Sequence, residues 1–311
     1  MNYIKDLQAG DHINSVFLCR QRTSAVTKNG KAYDNCILQD KTGQIDAKIW
    51  EPNSEGIGDF QGLDYVEVVG EVTQFNGALQ LSIRRARYVK PENVNSSDFF
   101  PVSDRDPAEM DSELAQQISL VTEPHLHRLL EILFVEDTQI AGAFKRSSAA
   151  KSVHHGFIGG LLEHTLSVTK TCMFFCEQYP VLNKDLLRTA ALCHDIGKIR
   201  ELSDFPLNDY TDEGQFLGHI VIGAEMLDDA IRQIDGFPED LRLKLIHCIL
   251  AHHGEYEFGS PKKPALMEAM ALHLADNADA KLESFKEALA AGNGSGWIGY
   301  SRLFESNIYK P

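Results

Sequence analysis

No uninterrupted apolar run approaches the roughly 20 residues needed to span a bilayer, and the opening MNYIKDLQAGDH lacks the basic-then-apolar order of an export signal. A soluble, cytoplasmic protein with no membrane partner is the expectation. Cysteine is sparse: Cys19, Cys36, Cys172, Cys176, Cys193 and Cys248 are scattered, with no CxxC pair. That spacing argues against a disulfide framework or a zinc knuckle, and the apolar settings LCR, NCIL, ALCHD and HCIL suit reduced, buried thiols. An excess of positive charge is also missing. The formal net charge is −15, and residues 1–95 carry only −1 of it, with 11 Lys/Arg against 12 Asp/Glu. Such a chain does not coat nucleic acid by charge alone, although a near-neutral N-terminal region can still carry a local basic patch. There is no internal repeat.

What the chain does have is a change of period. Up to about Lys90, INSVFLC, AYDNCILQD, GQIDAKIW, DYVEVVGEV and ALQLSIRRARYV alternate as five strands, with turns at Lys28-Asn29-Gly30, Asp40-Lys41-Thr42-Gly43 and Asn76-Gly77. Five strands with a glycine in the fourth predict a small closed barrel of the OB type over residues 1–90. Residues 91–110, rich in Pro, Ser, Asn and Asp, read as a linker. From Asp111 to residue 311 the apolar spacing is helical, with further helices expected near 137–147, 158–178, 184–196, 219–234, 239–253 and 264–290. The fold expected is α+β in two domains, a five-stranded barrel and then an all-α domain. In the tail, Trp297, Tyr300 and Phe304 are the expected anchors of a segment folding back on the second domain.

Seven of the twelve histidines form a series: His154-His155, His164 in LLEHT, His194 in LCHDIGK, His219 in GHI, and His252-His253 in AHHGE. One histidine on an apolar helix is more often a hydrogen-bonded core residue than a metal ligand. The series reverses those odds. Asp195 follows the apolar LLRTAALC, and an ionised carboxylate there costs several kcal/mol unless a cation or Lys198 compensates. Gly197 is the expected helix end beside it. The same argument selects Asp276, because Leu266, Met267, Met270, Ala271 and Leu274 before it are so apolar. Asp279, one turn on, is left as a supporting group or a surface residue.

The order H…HD…D, written His164, His194-Asp195 and Asp276, resembles the HD phosphohydrolase superfamily. HHGFIGGLLEHT, LCHDIGK, GHI, AHHGE and LHLADNADAK behind a barrel resemble, more narrowly, the YhaM-type 3′-to-5′ exoribonucleases. The resemblance implies a first divalent cation on His164, His194, Asp195 and Asp276. It implies a second, bridged by Asp195 and completed by His219 and by His252 or His253. Donors of oxygen and imidazole suit Mn²⁺, the favoured ion, with Mg²⁺ and Fe²⁺ as alternatives. Water activated between the cations would attack the phosphodiester. Lys198 would stabilise phosphate charge, His154 and His155 would contact phosphate, protonate the leaving oxygen or support the metal site, and Glu163 and Glu255 would orient ligands.

Single-stranded RNA is the implied partner and substrate, with single-stranded DNA as a second one, and a homo-oligomer is compatible. Tyr33, Trp50 and Phe75 are candidates for base stacking, and Arg20, Arg22, Lys48, Arg84 and Arg85 for phosphate contact. The alternation in GQIDAKIW places Asp46, Lys48 and Trp50 on the outer face. Two rival readings use the same residues: hydrolysis of a small nucleotide or cyclic dinucleotide, and a non-catalytic nucleic-acid-binding protein stabilised by metal.

Overall fold

In the computed structural model, residues 3–100, 102–103, 105–150, 156–292 and 294–311 are described, and the chain divides into two compact units, 1–102 and 103–311. The first is a closed barrel of strands β1 (His12–Val26), β2 (Ala32–Asp40), β3 (Gly43–Ile49), β4 (Tyr65–Phe75) and β5 (Ala78–Val89) in the order β1-β2-β3-β5-β4. Only β3 and β5 pair in parallel. This is the OB arrangement. Alternation decides the faces: Ile45, Ala47 and Ile49 are buried, whereas Asp46 and Trp50 are exposed and Lys48 is half-buried. Phe17, Leu38, Val66, Val68 and Leu81 fill the interior, each buried aliphatic side chain contributing about 1.5–3 kcal/mol. Gly70 sits at a bulge in β4, where a Cβ would lie 2.4 Å from the Ser82 carbonyl oxygen.

Residues 91–100 of the expected linker lie against this barrel. Phe99 and Phe100 are buried, and the Phe99 carbonyl accepts a hydrogen bond from the Gln39 amide. Asp106, followed by Pro107, caps the first helix, which therefore starts one turn before Asp111.

The second unit is built from α1 (Pro107–Ser119), α2 (Pro124–Glu131), α3 (Thr138–Arg146), α4 (Gly160–Gln178), α5 (Lys184–Cys193), the single turn α6 (Lys198–Glu201), α7 (Asp212–Ile231), α8 (Glu239–Leu250) and α9 (Met267–Ala291). None of these helices is long and apolar enough to cross a membrane. Leu161, Leu162, Leu166 and Val168 of α4 pack with Leu187, Ala191 and Leu192 of α5 and Leu272 of α9. All six cysteines are free thiols, and burial pushes Cys172, Cys193 and Cys248 up, which leaves them poor ligands.

Asp185 in the first turn of α5 is the tie to the α1–α2 corner: it accepts hydrogen bonds from Thr122 N, Thr122 Oγ1 and Glu123 N at 2.7–2.9 Å. Burial opposes the charge, but these donors prevail and the carboxyl titrates below its ordinary value. A depressed carboxylate stabilises the fold above its unfolded pKa and loses that contribution as pH falls through the folded one. Asp185→Ala is therefore expected to cost about 1–2 kcal/mol at pH 7 in urea unfolding, with the difference from the parent shrinking below pH 4.

The tail departs from an all-α domain. It forms a hairpin, β6 (Gly296–Ser301) with β7 (Ser306–Lys310). Trp297 and Tyr300, expected as anchors, are 73% and 64% exposed, and the strand period turns Ile308 inward instead. Phe304 does pack, with its ring 5.0 Å from that of Phe285 on α9.

Candidate active site

Four helices and one loop turn toward a common centre. His164 comes from α4, His194 caps the C-terminus of α5 and Asp195 follows it. His219 comes from α7, immediately after Gly218, whose φ of 71° and ψ of 157° break the helix there. His252 and His253 follow α8, and Asp276 and Asp279 lie on α9.

In each of the five histidines Nδ1 is taken. It faces the Asp279 carboxylate in His164 (2.7 Å), the Ala191 carbonyl in His194 (2.8 Å), Glu201 Oε1 in His219 (2.9 Å), the Ile249 carbonyl in His252 (2.6 Å) and the Phe258 carbonyl in His253 (2.8 Å). A carbonyl only accepts, so the Nδ1 of His194, His252 and His253 carries the proton, and Nε2 is left with a lone pair. The Nε2 atoms of His164 and His194 then face each other at 3.2 Å. Two lone pairs at that distance repel unless a proton or a cation lies between them. Asp195 Oδ1, His219 Nε2 and His252 Nε2 are buried with no hydrogen-bond partner among the described residues, and Asp195 Oδ1 lies 3.4 and 3.6 Å from the two imidazoles.

These atoms fall into two sets of metal-ligand spacing: His164, His194 and Asp276, and His219, His252 and His253. Asp195 spans them. Its Oδ2 lies 3.5 Å from His164 Nε2 and 3.4 Å from His194 Nε2, while Oδ1 faces the second set. Buried imidazole and carboxylate donors left without partners fit divalent cations, with nitrogen and oxygen ligands and no thiolate.

The electrostatics agree. Burial works against charge on Asp195, yet Lys198, with Nζ 2.7 Å from Oδ2, and the adjacent imidazoles hold it far below the usual carboxylate range. Asp276 is lowered as well, chiefly by His164 once burial is overcome. Burial would depress His164, but Asp276 and Asp279 outweigh it and raise its pKa to about 9. Carboxylates that retain a proton so strongly on a buried ring would also attract a cation in its place. Burial lowers His252 and His253, which keeps both neutral and able to donate a lone pair.

The structure thus gathers His164, His194, Asp195, His219, His252, His253, Asp276 and Lys198. His154 and His155 lie outside the described residues. Among the described residues Glu163 and Glu255 have other partners: Glu163 accepts from the Ser103 hydroxyl at 2.5 Å, and Glu255 pairs with Lys263. The carboxylates that hold these rings are Asp279, on His164 and also bound by Ser167, and Glu201, whose Oε1 takes both the ring and the backbone N–H of His219 at 2.9 Å. Glu201 went unnoticed in the sequence, where its only signal is a carboxylate six residues after Asp195 beside the apolar IGKI. Glu201→Gln is expected to weaken the affinity of the His219 set about 10- to 100-fold while sparing the other set, as metal titration against a chelator would show.

Gly197 has a helical conformation (φ −63°, ψ −18°) and does not terminate by a left-handed turn. It is there for room: a Cβ would lie 2.1 Å from the His219 carbonyl oxygen. Beside the centre opens a cavity of about 460 Å³ lined by His164, Asp195, Lys198, His253, Phe258, His273, Asp276, Asn277 and Lys281.

On the barrel, the Tyr33 and Trp50 rings stack at 5.4 Å, with Lys48 Nζ 5.4 Å from the Tyr33 ring centre, and Trp50 is 51% exposed. Phe75 is exposed but pairs with Ala78, whereas Trp50 follows the Ile49–Ile83 pair, so about 20 Å of strand separates them. Arg22 is committed to Asp34 at 2.8 Å, the Phe60 carbonyl and the Phe60 ring. Arg84 pairs with Glu71 at the surface, Arg85 is exposed and Arg20 is half-buried.

A helical domain carrying a buried H…HD…D set, with an extra GH and HH on the far side of the same aspartate, defines an HD-type phosphohydrolase, and the HD domain family matches residues 161–281. The chain belongs to the YhaM family. It is 36% identical to the 3′-5′ exoribonuclease YhaM of Shouchella clausii (strain KSM-K16) over 92% of this chain and 89% of that protein. It is 35% identical to the YhaM of Bacillus subtilis (strain 168) over 91% of this chain and 89% of that one. The second OB-fold domain of replication protein A from Methanococcus maripaludis covers 29% of this chain and 96% of its own, at 24% identity and a TM-score of 0.23.

Proposed function

We propose that the protein is a divalent-metal-dependent 3′-to-5′ exoribonuclease that releases nucleoside 5′-monophosphates from single-stranded RNA, with single-stranded DNA as a second substrate. The observation that carries the reading is Asp195, a buried carboxylate with one oxygen toward each of two inward-facing imidazole sets. The names of the YhaM relatives supply the polymer and the direction.

His164, His194, Asp276 and Asp195 Oδ2 would hold one cation, and His219, His252, His253 and Asp195 Oδ1 a second, with Mn²⁺ favoured. Bound there, the cations supply Lewis acidity to the phosphate and lower the pKa of water. The chain's own groups do the rest. Asp279 and Glu201 hold the rings of His164 and His219 in place, and the backbone carbonyls fix the other tautomers. Burial lowers the Lys198 ammonium, but Asp195 more than restores it, so Lys198 stays charged at the cavity wall where phosphate charge would grow.

Tyr33, Trp50 and Lys48 form a stacking platform with a cation on the barrel's outer face, the chemistry that grips single strands without reading sequence. Trp50→Ala is expected to weaken binding of a short oligoadenylate on the order of tenfold in a fluorescence titration, within the about 1–3 kcal/mol of one stacked base. The function itself is tested with 5′-labelled RNA and Mn²⁺. A ladder shortening from the 3′ end and abolished by EDTA supports it; internal cuts, or no cleavage, refute it.

A further inference from the structure

Beyond Asp276, helix α9 continues to face the cavity, and the metal centre does not account for what it presents there. His273, Asn277 and Lys281 recur every four residues, share one helical face and line the cavity wall. The ring of His273 is fixed from two sides. Its Nδ1 donates to the His252 carbonyl at 3.0 Å, and its Cε1 lies 2.3 Å from where a Cβ on residue 254 would be, so the glycine of AHHGE makes room for this ring. With Nδ1 committed to a carbonyl, Nε2 is an acceptor. The side chains of Asn277 and Lys281 make no hydrogen bond or ion pair with any described residue, although both stand at a cavity wall. One fixed imidazole edge and two polar side chains without protein partners among the described residues thus line one wall of the cavity.

We propose that this face of α9 seats the 3′-terminal nucleotide of the substrate. His273 and Asn277 take the hydroxyls of its ribose, and Lys281 takes the phosphate one step further back along the strand. The inference rests on the exoribonuclease reading and adds how an end is recognised. The order along α9 follows from exposure: His273 is half-buried against the His252-His253 segment, whereas Lys281 is exposed. Eight residues of helix separate them by about 12 Å, with Asp276 between. A strand entering end-first brings its terminal hydroxyls to the inner end and leaves its next phosphate near the outer one. An imidazole Nε2 accepts from a 2′- or 3′-hydroxyl, an amide both donates and accepts, and an ammonium binds phosphate as a point charge. About 460 Å³ is of the size that takes a single nucleotide.

The test uses the full chain with Mn²⁺ and three substrates: a short oligoribonucleotide, the same strand ending in a 2′-deoxy residue, and bis(4-nitrophenyl) phosphate, which has neither ribose nor a second phosphate. Lys281→Ala is expected to lower the ratio of oligonucleotide to small-diester kcat/KM about tenfold, through KM, with most of the loss restored in Lys281→Arg. Asn277→Ala is expected to shrink the parent's preference for a ribose over a deoxyribose 3′ end by a similar factor of about ten. If both ratios stay within about twofold of the parent, the seat is not here, even though the parent still shortens RNA from its 3′ end. A parent that hydrolyses the small diester and leaves RNA intact overturns the exoribonuclease reading instead.

Discussion

Asp195→Asn is expected to abolish cleavage, with kcat/KM on oligoribonucleotide down at least about 10³-fold and no recovery at high Mn²⁺. The amide keeps the shape of the carboxylate but loses its charge, and its nitrogen cannot serve as a ligand, so one of the two imidazole sets would lose the oxygen that faces it. The same change strands Lys198, whose Nζ lies 2.7 Å from Asp195 Oδ2 inside the site. Breaking a buried pair from one side costs about 3–5 kcal/mol, whereas neutralising both sides costs far less. Asp195→Asn is thus expected to unfold at lower urea, and Asp195→Asn combined with Lys198→Met to regain most of the stability and none of the activity. The double variant is the folded, inactive control. Cleavage at the parental rate in either variant, with metal content measured alongside, would remove Asp195 from the mechanism.

A methyl group placed where no catalytic atom is touched should have an effect as large. In Gly197→Ala the new Cβ would lie 2.1 Å from the His219 carbonyl oxygen and 2.6 Å from Gly223 N, both backbone atoms of α7 that cannot rotate away. Either α6 or α7 must move, and α7 carries His219. The expected cost is above about 3 kcal/mol in urea unfolding, accompanied by weaker divalent-metal binding before the fold is lost. Gly236→Ala is the comparison. Its φ of 72° strains an alanine, but nothing lies within 4 Å of the added carbon, so about 1–2 kcal/mol is expected with full activity. Equal effects of the two substitutions would mean that the close approach of Gly197 to α7 is not what positions His219.

The residues that meet at this centre were legible in order and spacing, because an ionisable group beside an apolar run has few stable explanations and a series of them has fewer. His194 and Asp195 follow LLRTAALC, and they are indeed buried at the end of that helix. Of the apolar residues that singled out Asp276, Leu266 and Ala271 pack on the core but the others do not. Met267, Met270 and Leu274, which argued for burial, are exposed, while Ala269, Leu272 and Ala275 face the core. The carboxylate reaches the site because its own face does, and Asp279, three residues on, comes with it to hold His164. Along β3, by contrast, a period of two leaves no such freedom, and Trp50, the residue just after the strand, lies outside as the alternation requires.

Local pattern therefore accounts for what depends on neighbours in the chain: the five-stranded barrel, the helical domain, the outward face of Lys48 and Trp50, and the ionisable residues that apolar segments cannot hold alone. Tertiary structure decided which of those residues meet. Asp195 lies between two imidazole sets because α4, α5, α7, α8 and α9 converge on it. His164 is oriented by a carboxylate 115 residues away, and His219 by Glu201, 18 residues before it, across the glycine contact that joins α6 to α7. Partners chosen by packing leave no periodic trace, because their spacing in sequence is set by the loops between helices and not by the faces that touch.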